Sequence, residues 1–590
     1  TMIFFTGQQL CTMVSSIRQV RHNSVDPSVL RRTLALCALS GAAALVYEVS
    51  WTKQLTLLLG STGKAHATAL GGFLAALAAG SWALGRAGER AVSPLLFYAK
   101  VECLVAAAGL LSPLVARWAP ESVRLPAFGL CAAAGAFMMG GALPALARAR
   151  GSFSSLYAIN CLAAAAGALL ADFLFIPAIG LMGAAHAAAG LNLLAAFVAW
   201  KGAWRVISAG SSASGQILRE PVEAPRAPHE QPRDPGLMPV EALWLAGFCS
   251  GYIALLCETA WIRLLALVIG SSVYSFSVML AAIIAGLALG AGIAPWLRRR
   301  LGSRALGVAY LAFASALLLS LFYGQHGLYQ FRWLYAKMAG AELPYGLYES
   351  AKLAFCLAAF VPLSSIMGLS LPLVSLELGR EGSAEETGRL LALNTIGCVA
   401  GAFVALWLLP RLGLEGLMRS AAMIAFALGA GLLALAVQGA AARRAGLALG
   451  LVAVGIASTA LVPRWDNLLF CLAGFRMRYT ATDFQNYRKT VNETYTLLFH
   501  RDGAESTVTT IRGKDGMLSL QVNAKADAST GSDMRTQILL GALPVLLKPE
   551  ASEALVIGWG SGITVGATLG PAIDRLDAVE LSREVVLASN

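Results

Sequence analysis

The chain has 590 residues, of which 57% are hydrophobic and 13% are charged, and its net charge is +12. Average soluble proteins carry about 25% charged residues, so this chain has too little polar material to cover a soluble molecule of its length. The composition excludes an ordinary soluble enzyme as the whole molecule and predicts that a lipid bilayer is the main solvent.

Apolar segments of the length that spans a bilayer, about 20 residues, recur along most of the chain. After an N-terminal tail (1–30), a first group of about six predicted helices occupies 31–205. A second group of about six or seven occupies 240–463. The stretch 206–239 between them is rich in Ser, Pro, Glu and Arg and predicts a flexible linker. We therefore expect a polytopic α-helical membrane domain.

The two groups of predicted helices resemble copies of one sequence. Polar and small residues of the first group recur 210 positions later, with Lys53 matched by Arg263. The matching residues are Ser40, Gly41, Leu45, Glu48, Trp51, Leu55, Gly60 and Ser61 in the first group, and Ser250, Gly251, Leu255, Glu258, Trp261, Leu265, Gly270 and Ser271 in the second. With shifted offsets, Gly140, Leu143, Pro144, Asn160, Gly167 and Ala168 match Gly368, Leu371, Pro372, Asn394, Gly401 and Ala402. This register predicts an internal duplication, a common transporter architecture.

Glu48 and Glu258 are acids inside apolar segments. A carboxylate in such a place costs about 2.5–3.5 kcal/mol on insertion scales and usually faces protein or a watery cavity. One interpretation is a site for a cation or a polyamine. The other is that each acid pairs with the nearby Lys53 or Arg263 and fixes helix packing, which the position near the ends of the segments favours. Both interpretations stay open.

The basic residues predict the orientation in the membrane. They fall in alternate loops, which under the positive-inside rule places the N-terminus in the cytoplasm. These residues are Arg31, Arg32, Arg86, Arg90, Arg148, Arg150, Lys201, Arg205, Arg298–Arg300, Arg380, Arg389, Arg443 and Arg444. Thirteen spans would then place the C-terminal domain outside, so the side of that domain stays open. No basic stretch is interleaved with exposed aromatic residues, so nucleic acid is not an expected partner. The single, scattered Cys residues predict neither a disulfide framework nor a metal site.

The segment after Pro463 has a different, more polar texture. We expect a β-rich part over 464–532, in which strands at 506–512 and 517–522 form a hairpin through the turn Gly513–Gly516. A helix is predicted from Asp533 to about Leu547.

A glycine-rich turn follows at Ala554–Gly566, where an apolar strand leads into Gly558, Gly560 and Gly562 and then into a helix. Glycines permit a tight turn and let a ligand approach the backbone, and the helix N-terminus offers free N–H groups. A second strand ends in Glu580, 20 residues after Gly560, the distance at which an acid reaches the hydroxyls of a ribose. We therefore expect the start of a Rossmann-like, methyltransferase-type α/β domain over 533–590.

Residues 505–590 resemble the spermidine synthase (polyamine aminopropyltransferase) family, and the whole chain resembles the bacterial membrane-fused versions of it. The resemblance rests on the run from Gln521 to Thr530, on Leu543–Leu547 and on the glycine turn. It implies a β-hairpin domain followed by a Rossmann-like fold, in a multi-pass protein of the bacterial inner membrane. It also implies decarboxylated S-adenosylmethionine, or S-adenosylmethionine itself, as co-substrate, with Gly558, Gly560 and Gly562 around the thionucleoside and Glu580 on its ribose.

The chain departs from the family at the substrate-binding positions. Ser561 stands where the family has an amine-binding Asp, and Thr536 and Gln537 stand where it has Tyr-His or Tyr-Gln. Asp527 aligns with a family Gln. The family's catalytic base, an Asp, would lie beyond residue 590, so no catalytic residue is identified and the sequence as given is expected to be an inactive, truncated piece.

Three functions follow from the sequence. The first is a membrane-bound transferase that moves an aminopropyl group from decarboxylated S-adenosylmethionine to an amine, in polyamine biosynthesis, without a metal. The second is a transporter of polyamines or metabolites with a vestigial or sensory Rossmann domain. The third is an S-adenosylmethionine-dependent methyltransferase. The expected partners are the lipid bilayer, a small amine and a second copy of the chain through the synthase-like domain.

Overall fold

The structure, a computed structural model, describes residues 27–60, 62–149, 152–213, 238–270, 272–339, 345–379, 382–472 and 483–589. Most of the predicted tail (1–26) and of the predicted linker (214–237) lies outside the described residues. The same holds for Ser61, Arg150, Ser271 and Arg380, and for the side chain of Arg205. Eleven helical segments of the described part are long and apolar enough to cross a membrane. This confirms the predicted polytopic helical domain and makes the chain a multi-pass membrane protein in a lipid bilayer.

The membrane-spanning helices form two bundles. The first bundle consists of α1 (Pro27–Leu59), α2 (Gly63–Arg90), α3 (Pro94–Trp118), α4 (Glu121–Met139), α5 (Ala142–Arg148), α6 (Phe153–Leu170), a π-helix (Ala171–Phe175) and α7 (Ile176–Ala213). The second bundle consists of α8 (Val240–Ile269), α9 (Val273–Leu301), α10 (Arg304–Ala339), α11 (Tyr345–Met367), α12 (Ser370–Leu378), α13 (Ala384–Ala436) and α14 (Ala441–Leu461).

Two helical segments are too long for one crossing. Phe153–Trp204 has 52 residues and Ala384–Ala436 has 53. At about 1.5 Å per residue each would measure nearly 80 Å, more than twice the hydrocarbon thickness. Each is interrupted by one glycine with left-handed φ, Gly180 (φ 73°, ψ 176°) and Gly413 (φ 70°, ψ 177°). Other residues rarely adopt this conformation, so glycine is required at both breaks.

The chain turns back at Gly180. Helices α3 and α6 run parallel to α1, whereas α7 runs antiparallel to α3. The contacts that fix these directions are Leu36–Tyr98, Trp51–Ser112, Cys37–Leu156, Ala42–Gly167, Leu95–Gly202 and Glu102–Asn192. The segment on either side of Gly180 therefore crosses the membrane twice. Gly413 has nearly the same backbone angles, and it separates the part of α13 that packs on α8 from the part that packs on α10.

The two bundles contact each other through equivalent helices. Helix α2 of the first bundle packs against α13 of the second, and α9 of the second packs against α6 of the first. Within the bundles, Gly41 and Gly251 lie directly against Asn160 and Asn394. A Cβ atom at Gly41 would come within 2.7 Å of the Asn160 carbonyl oxygen, and one at Gly251 within 1.9 Å of the Asn394 carbonyl oxygen. These residues are related by the sequence matches described above, so the matched positions make the same helix contact.

The helix directions separate two faces of the membrane domain. The arginine-rich face carries the start of α1, the end of α2 and the start of α13, where Arg86 pairs with Glu385 at 3.2 Å. The cations on this face are Arg31, Arg32, Arg86, Arg90, Arg148, Lys201, Arg298–Arg300, Arg389, Arg443 and Arg444. The opposite face, at the Gly60, Gly180, Gly270 and Gly413 ends, receives the C-terminal domain, and we call it the domain face.

The C-terminal domain begins with α15 (Asn467–Cys471) and α16 (Phe484–Thr494). Four antiparallel strands follow in chain order: β1 (Tyr495–Asp502), β2 (Thr507–Gly513), β3 (Leu518–Val522) and β4 (Lys525–Ser529). Strands β2 and β3 form the predicted hairpin. The remaining elements are α17 (Met534–Leu547), which is the predicted helix, β5 (Glu553–Ile557), α18 (Ile563–Thr568), β6 (Arg575–Val579) and α19 (Arg583–Ser589). Strands β5 and β6 pair in parallel, with α18 between them in sequence.

Candidate functional site

The two predicted intramembrane acids meet where the bundles join. Glu48 lies on α1 and Glu258 lies on α8, so each bundle contributes one acid, and the two side chains lie within electrostatic range of each other. Cys398 of α13 interacts electrostatically with both acids, and Tyr157 of α6 lies next to Cys398. Both acids, the tyrosine and this cysteine are half-buried although they lie deep in the helical domain. The four side chains thus come from helices of both bundles, two from each.

The cations near the two acids are engaged elsewhere. Lys53 forms an ion pair with Asp172, and Arg263 donates hydrogen bonds to backbone carbonyls of the C-terminal domain. Within the described part of the chain, neither Glu48 nor Glu258 has an ion pair. The pairing that sequence reasoning favoured for these acids is therefore absent from the structure.

A third acid, Asp172, connects the bundles and was missed by the sequence analysis. It lies in the π-helix, its side chain is fully buried, and it accepts hydrogen bonds from Lys53 of α1 and Ser277 of α9. Single π-helical turns often occur at functional sites. Asp172 could have been found in the sequence by the argument used for Glu48, because it is a lone acid in a long apolar segment.

A fourth acid, Glu102, has a purely structural arrangement. It is buried on α3 and accepts hydrogen bonds from Ser40 (2.7 Å) and Asn192. Its bonds join α1, α3 and α7 of the same bundle. Buried acids satisfied in this way stabilise packing, and the contrast sets Glu48 and Glu258 apart.

The glycine turn of the C-terminal domain has the predicted shape. Gly558, Gly560 and Gly562 have positive φ values of 102°, 56° and 80°. The Glu580 carboxylate accepts hydrogen bonds from the backbone N–H groups of Trp559 (2.8 Å) and Gly560 (3.4 Å), so it lies directly against this turn. The turn and Glu580 thus form one unit, in which the acid closes the loop.

The other predicted binding residues divide into two places. The Ser561 hydroxyl donates to the side-chain oxygen of Gln537 at 2.8 Å, and the Gln537 amide donates to Asp533 at 3.2 Å. These residues lie beside the glycine turn. Asp527 lies on β4, where Lys525 is its ion-pair partner at 4.0 Å. Asp533, which sequence reasoning used only as a helix start, is therefore connected to the turn through Gln537 and Ser561. Within the described residues, no cluster of three or more His, Cys, Asp or Glu side chains could hold a metal.

No protein-family model and no curated protein matches the chain. Several solved structures are similar to it at low identity. A bacterial homologue of the iron transporter ferroportin, in its outward-facing state with soaked iron, is 12% identical, covers 73% of this chain and 99% of its own, and has a TM-score of 0.42. The E. coli fucose:proton symporter is 14% identical, covers 69% of this chain and 98% of its own, and has a TM-score of 0.42. A D-xylose-proton symporter is 12% identical, covers 67% of this chain and 95% of its own, and has a TM-score of 0.44.

The comparisons contradict the expected membership of the spermidine synthase family. The similar solved structures are membrane transporters. The predictions of aminopropyl transfer, polyamine biosynthesis and a transferase are therefore wrong. A physical reason for the error lies in the glycine turn, because a local turn geometry recurs on folds of many functions and does not specify one reaction.

Proposed function

We propose that the chain is a membrane transporter that carries a small organic cation through the space between its two bundles. The main observation behind this proposal is that Glu48 and Glu258, two acids at matched positions, lie near each other. Neither acid has an ion pair in the described part of the chain. Two carboxylates in a low-dielectric space attract a cation strongly, because Coulomb energies grow as the dielectric constant falls. Polyamines, which the sequence analysis gives as one substrate of a transporter, are cations of this kind.

The duplicated architecture supports this proposal. The α2–α13 and α9–α6 contacts and the glycines facing Asn160 and Asn394 are those expected of two copies of one six-helix unit. Each copy begins on the arginine-rich face, so the copies are parallel. Parallel repeats with a site at their interface allow alternating access, in which one bundle rocks against the other.

The charge distribution supports an orientation. We infer that the arginine-rich face is cytoplasmic, since Lys and Arg are enriched in cytoplasmic loops. The N-terminus then lies in the cytoplasm of a bacterial inner membrane, and the C-terminal domain lies on the opposite side.

The C-terminal unit from β5 to β6 supports a binding role. We infer that it is the start of a Rossmann-like fold and that the glycine turn with Glu580 binds a nucleoside, for which S-adenosylmethionine and its decarboxylated form are the probes. Calorimetric titration of the whole protein tests this, with Glu580→Ala as the negative control. The exposed apolar side chains of Leu547 and Ile557 also favour a homodimer through this domain, which sedimentation in detergent tests.

The transport proposal is tested by uptake of radiolabelled putrescine and spermidine into proteoliposomes. We expect Glu48→Gln and Glu258→Gln each to reduce uptake about tenfold or more, the effect of losing roughly 1.4 kcal/mol of binding. Glu241→Gln is the matched control, because Glu241 is exposed at the start of the same helix as Glu258. Uptake equal to wild type in both variants, or a loss that only follows the amount of folded protein, would show that the acids serve packing.

A further inference from the structure

One loop of the C-terminal domain contacts both bundles. This loop, the hairpin tip, comprises residues 502–507, from the last residue of β1 to the first residue of β2. On the side of the second bundle, Arg263 of α8 donates to the carbonyl oxygens of Gly503 (2.8 Å), Ala504 (3.1 Å) and Glu505 (2.9 Å). Three hydrogen bonds from one guanidinium fix the path of the tip, because its N–H donors have a rigid geometry.

The hairpin tip is also bonded to the first bundle. The Glu505 carboxylate accepts a hydrogen bond from the backbone N–H of Gly63, at the first turn of α2. An anion at a helix N-terminus is stabilised by the free N–H groups and by the helix dipole. The tip thus holds α2 of one bundle and α8 of the other at the same time.

A further bond reaches the break in α13. The Asp502 carboxylate accepts from the backbone N–H of Leu414 at 2.9 Å, directly after Gly413, and from the Thr507 hydroxyl at 2.7 Å. The break leaves backbone N–H groups without helical partners. The Asp502 side chain of the C-terminal domain therefore supplies a hydrogen-bond acceptor to the backbone at the break in the membrane domain.

The cations at matched positions have different partners. Lys53 binds Asp172 inside the membrane domain, whereas Arg263 is surrounded by Asp502, Glu505 and Glu584 of the C-terminal domain. The second bundle therefore uses its cation to hold the C-terminal domain, and the first bundle does not.

We propose that the hairpin tip is an autoinhibitory brake, which holds the two bundles together on the domain face and keeps the space between them closed to that side. This inference rests on the proposed transport function. Rocking of one bundle against the other must separate α2 from α8 on the domain face, and the tip is bonded to both. Opening therefore requires the Glu505 bond or the Arg263 bonds to break.

The C-terminal domain offers a route for releasing the brake. Glu584 of α19 lies against Gly503. A Cβ atom added at Gly503 would come within 2.6 Å of the Glu584 carboxyl carbon. The Thr510 hydroxyl of β2 donates to the carbonyl oxygen of Ala588 at 3.0 Å. Helix α19 follows shortly after Glu580, the residue next to the end of β6, so one short helix connects the glycine turn to the tip.

The brake is tested by hydrogen–deuterium exchange of the whole protein in lipid nanodiscs. Glu505→Ala removes the bond to the first bundle, and Glu493→Ala, an exposed acid on α16, is the matched control. We expect Glu505→Ala to speed exchange about tenfold in the helical stretches 44–58 and 254–268, the change expected for one charge-assisted hydrogen bond. Faster exchange confined to residues 62–66, with the interior stretches unchanged, would overturn the proposal.

A second variant acts in the opposite direction and separates the two proposals. Gly63→Cys with Glu505→Cys, joined by a short bifunctional methanethiosulfonate, locks the tip onto the first bundle. We expect putrescine uptake to stop, to return after reduction, and to rise above wild type in Glu505→Ala. Uptake that is present but unchanged by both variants would overturn the brake and leave transport standing. Faster interior exchange without putrescine uptake in any variant would support the brake and count against cation transport.

Discussion

Lys53 and Asp172 form an ion pair inside the membrane domain, although 119 residues separate them in the chain. Asp172 is fully buried, and Lys53 is about one-quarter exposed. Since Ser277 of the second bundle donates to the same carboxylate, one acid joins the two bundles.

Removing this acid should be strongly destabilising. Asp172→Asn leaves the Lys53 ammonium without its anion, so we expect the free energy of unfolding to fall by about 3–5 kcal/mol. The double variant Lys53→Met with Asp172→Asn should recover most of this loss, because it removes the uncompensated charge. Thermal unfolding in detergent measures both. Asp577→Asn is the control, since the Arg575–Asp577 pair is exposed on both sides and such pairs contribute about 0–1 kcal/mol. Equal losses of stability in Asp172→Asn and Asp577→Asn would contradict the stabilising role assigned to the Lys53–Asp172 ion pair.

The close helix contact at Gly251 should not tolerate a methyl group. A Cβ atom there would come within 1.9 Å of the Asn394 carbonyl oxygen. We expect Gly251→Ala to lower the free energy of unfolding by about 1–3 kcal/mol, as overpacking does. Gly292→Ala on α9 is the matched control, since open space surrounds that position, and it should be neutral or slightly stabilising. Thermal unfolding of both variants decides, and an unaffected Gly251→Ala protein would show that the helices separate easily.

Glu89 should hold the arginine-rich face together. Its carboxylate accepts from the Ala384 N–H (2.6 Å), the Glu385 N–H (3.2 Å) and the Ser383 hydroxyl (3.2 Å) at the start of α13. Glu89→Ala removes this cap, so we expect a loss of about 1–3 kcal/mol in stability and faster amide exchange over 383–388. Glu121→Ala, an exposed acid in the first turn of α4, serves as control. Unchanged exchange over 383–388 would show that the cap contributes nothing.

His500 should make the stability of the C-terminal domain depend on pH. Burial lowers the pKa of His500 below its usual value, and the nearby Asp502 carboxylate opposes this only in part. The unfolded chain, with a pKa of about 6.5 at this residue, then binds a proton before the folded one does. His500 therefore contributes stability above that pH, and the contribution is lost as the pH falls through its folded pKa.

The pH effect is measured by thermal unfolding of wild type and His500→Gln between pH 8 and pH 5. The wild type should be the more stable protein at pH 8, and the difference should shrink towards pH 5. A difference that stays constant over this range would assign His500 a packing role alone.

Much of the membrane domain was accessible from the sequence, because its signals are local. Apolar segments of spanning length predict the helices. The 210-residue offset identifies Glu48 and Glu258 as matched acids in two repeats. The hairpin and the helix after Asp533 followed from alternation and helical spacing. Asp172 carried the same signal as Glu48, a lone acid among apolar residues.

The remaining features depend on tertiary contacts, which no local pattern encodes. Arg263 lies on the same position of its repeat as Lys53, yet its partners are more than 200 residues away in the C-terminal domain. The glycine turn shows the opposite difficulty. Its backbone has the predicted form, but the Glu580 carboxylate bonds to the turn itself, and the function expected from the resemblance is contradicted.

Helix α14 determines the face of the membrane domain on which the C-terminal domain lies. It lies at the edge of the second bundle, and Gly455, packed on Phe426, is its one buried residue. Because α14 adds a single crossing after two repeats of six crossings each, the total number of crossings is odd. The start of α1 and the domain after α14 therefore lie on opposite faces of the membrane domain. Loss of this one peripheral crossing would bring the start of α1 and the C-terminal domain to the same face. The Arg263 side chain would then face water instead of the hairpin tip.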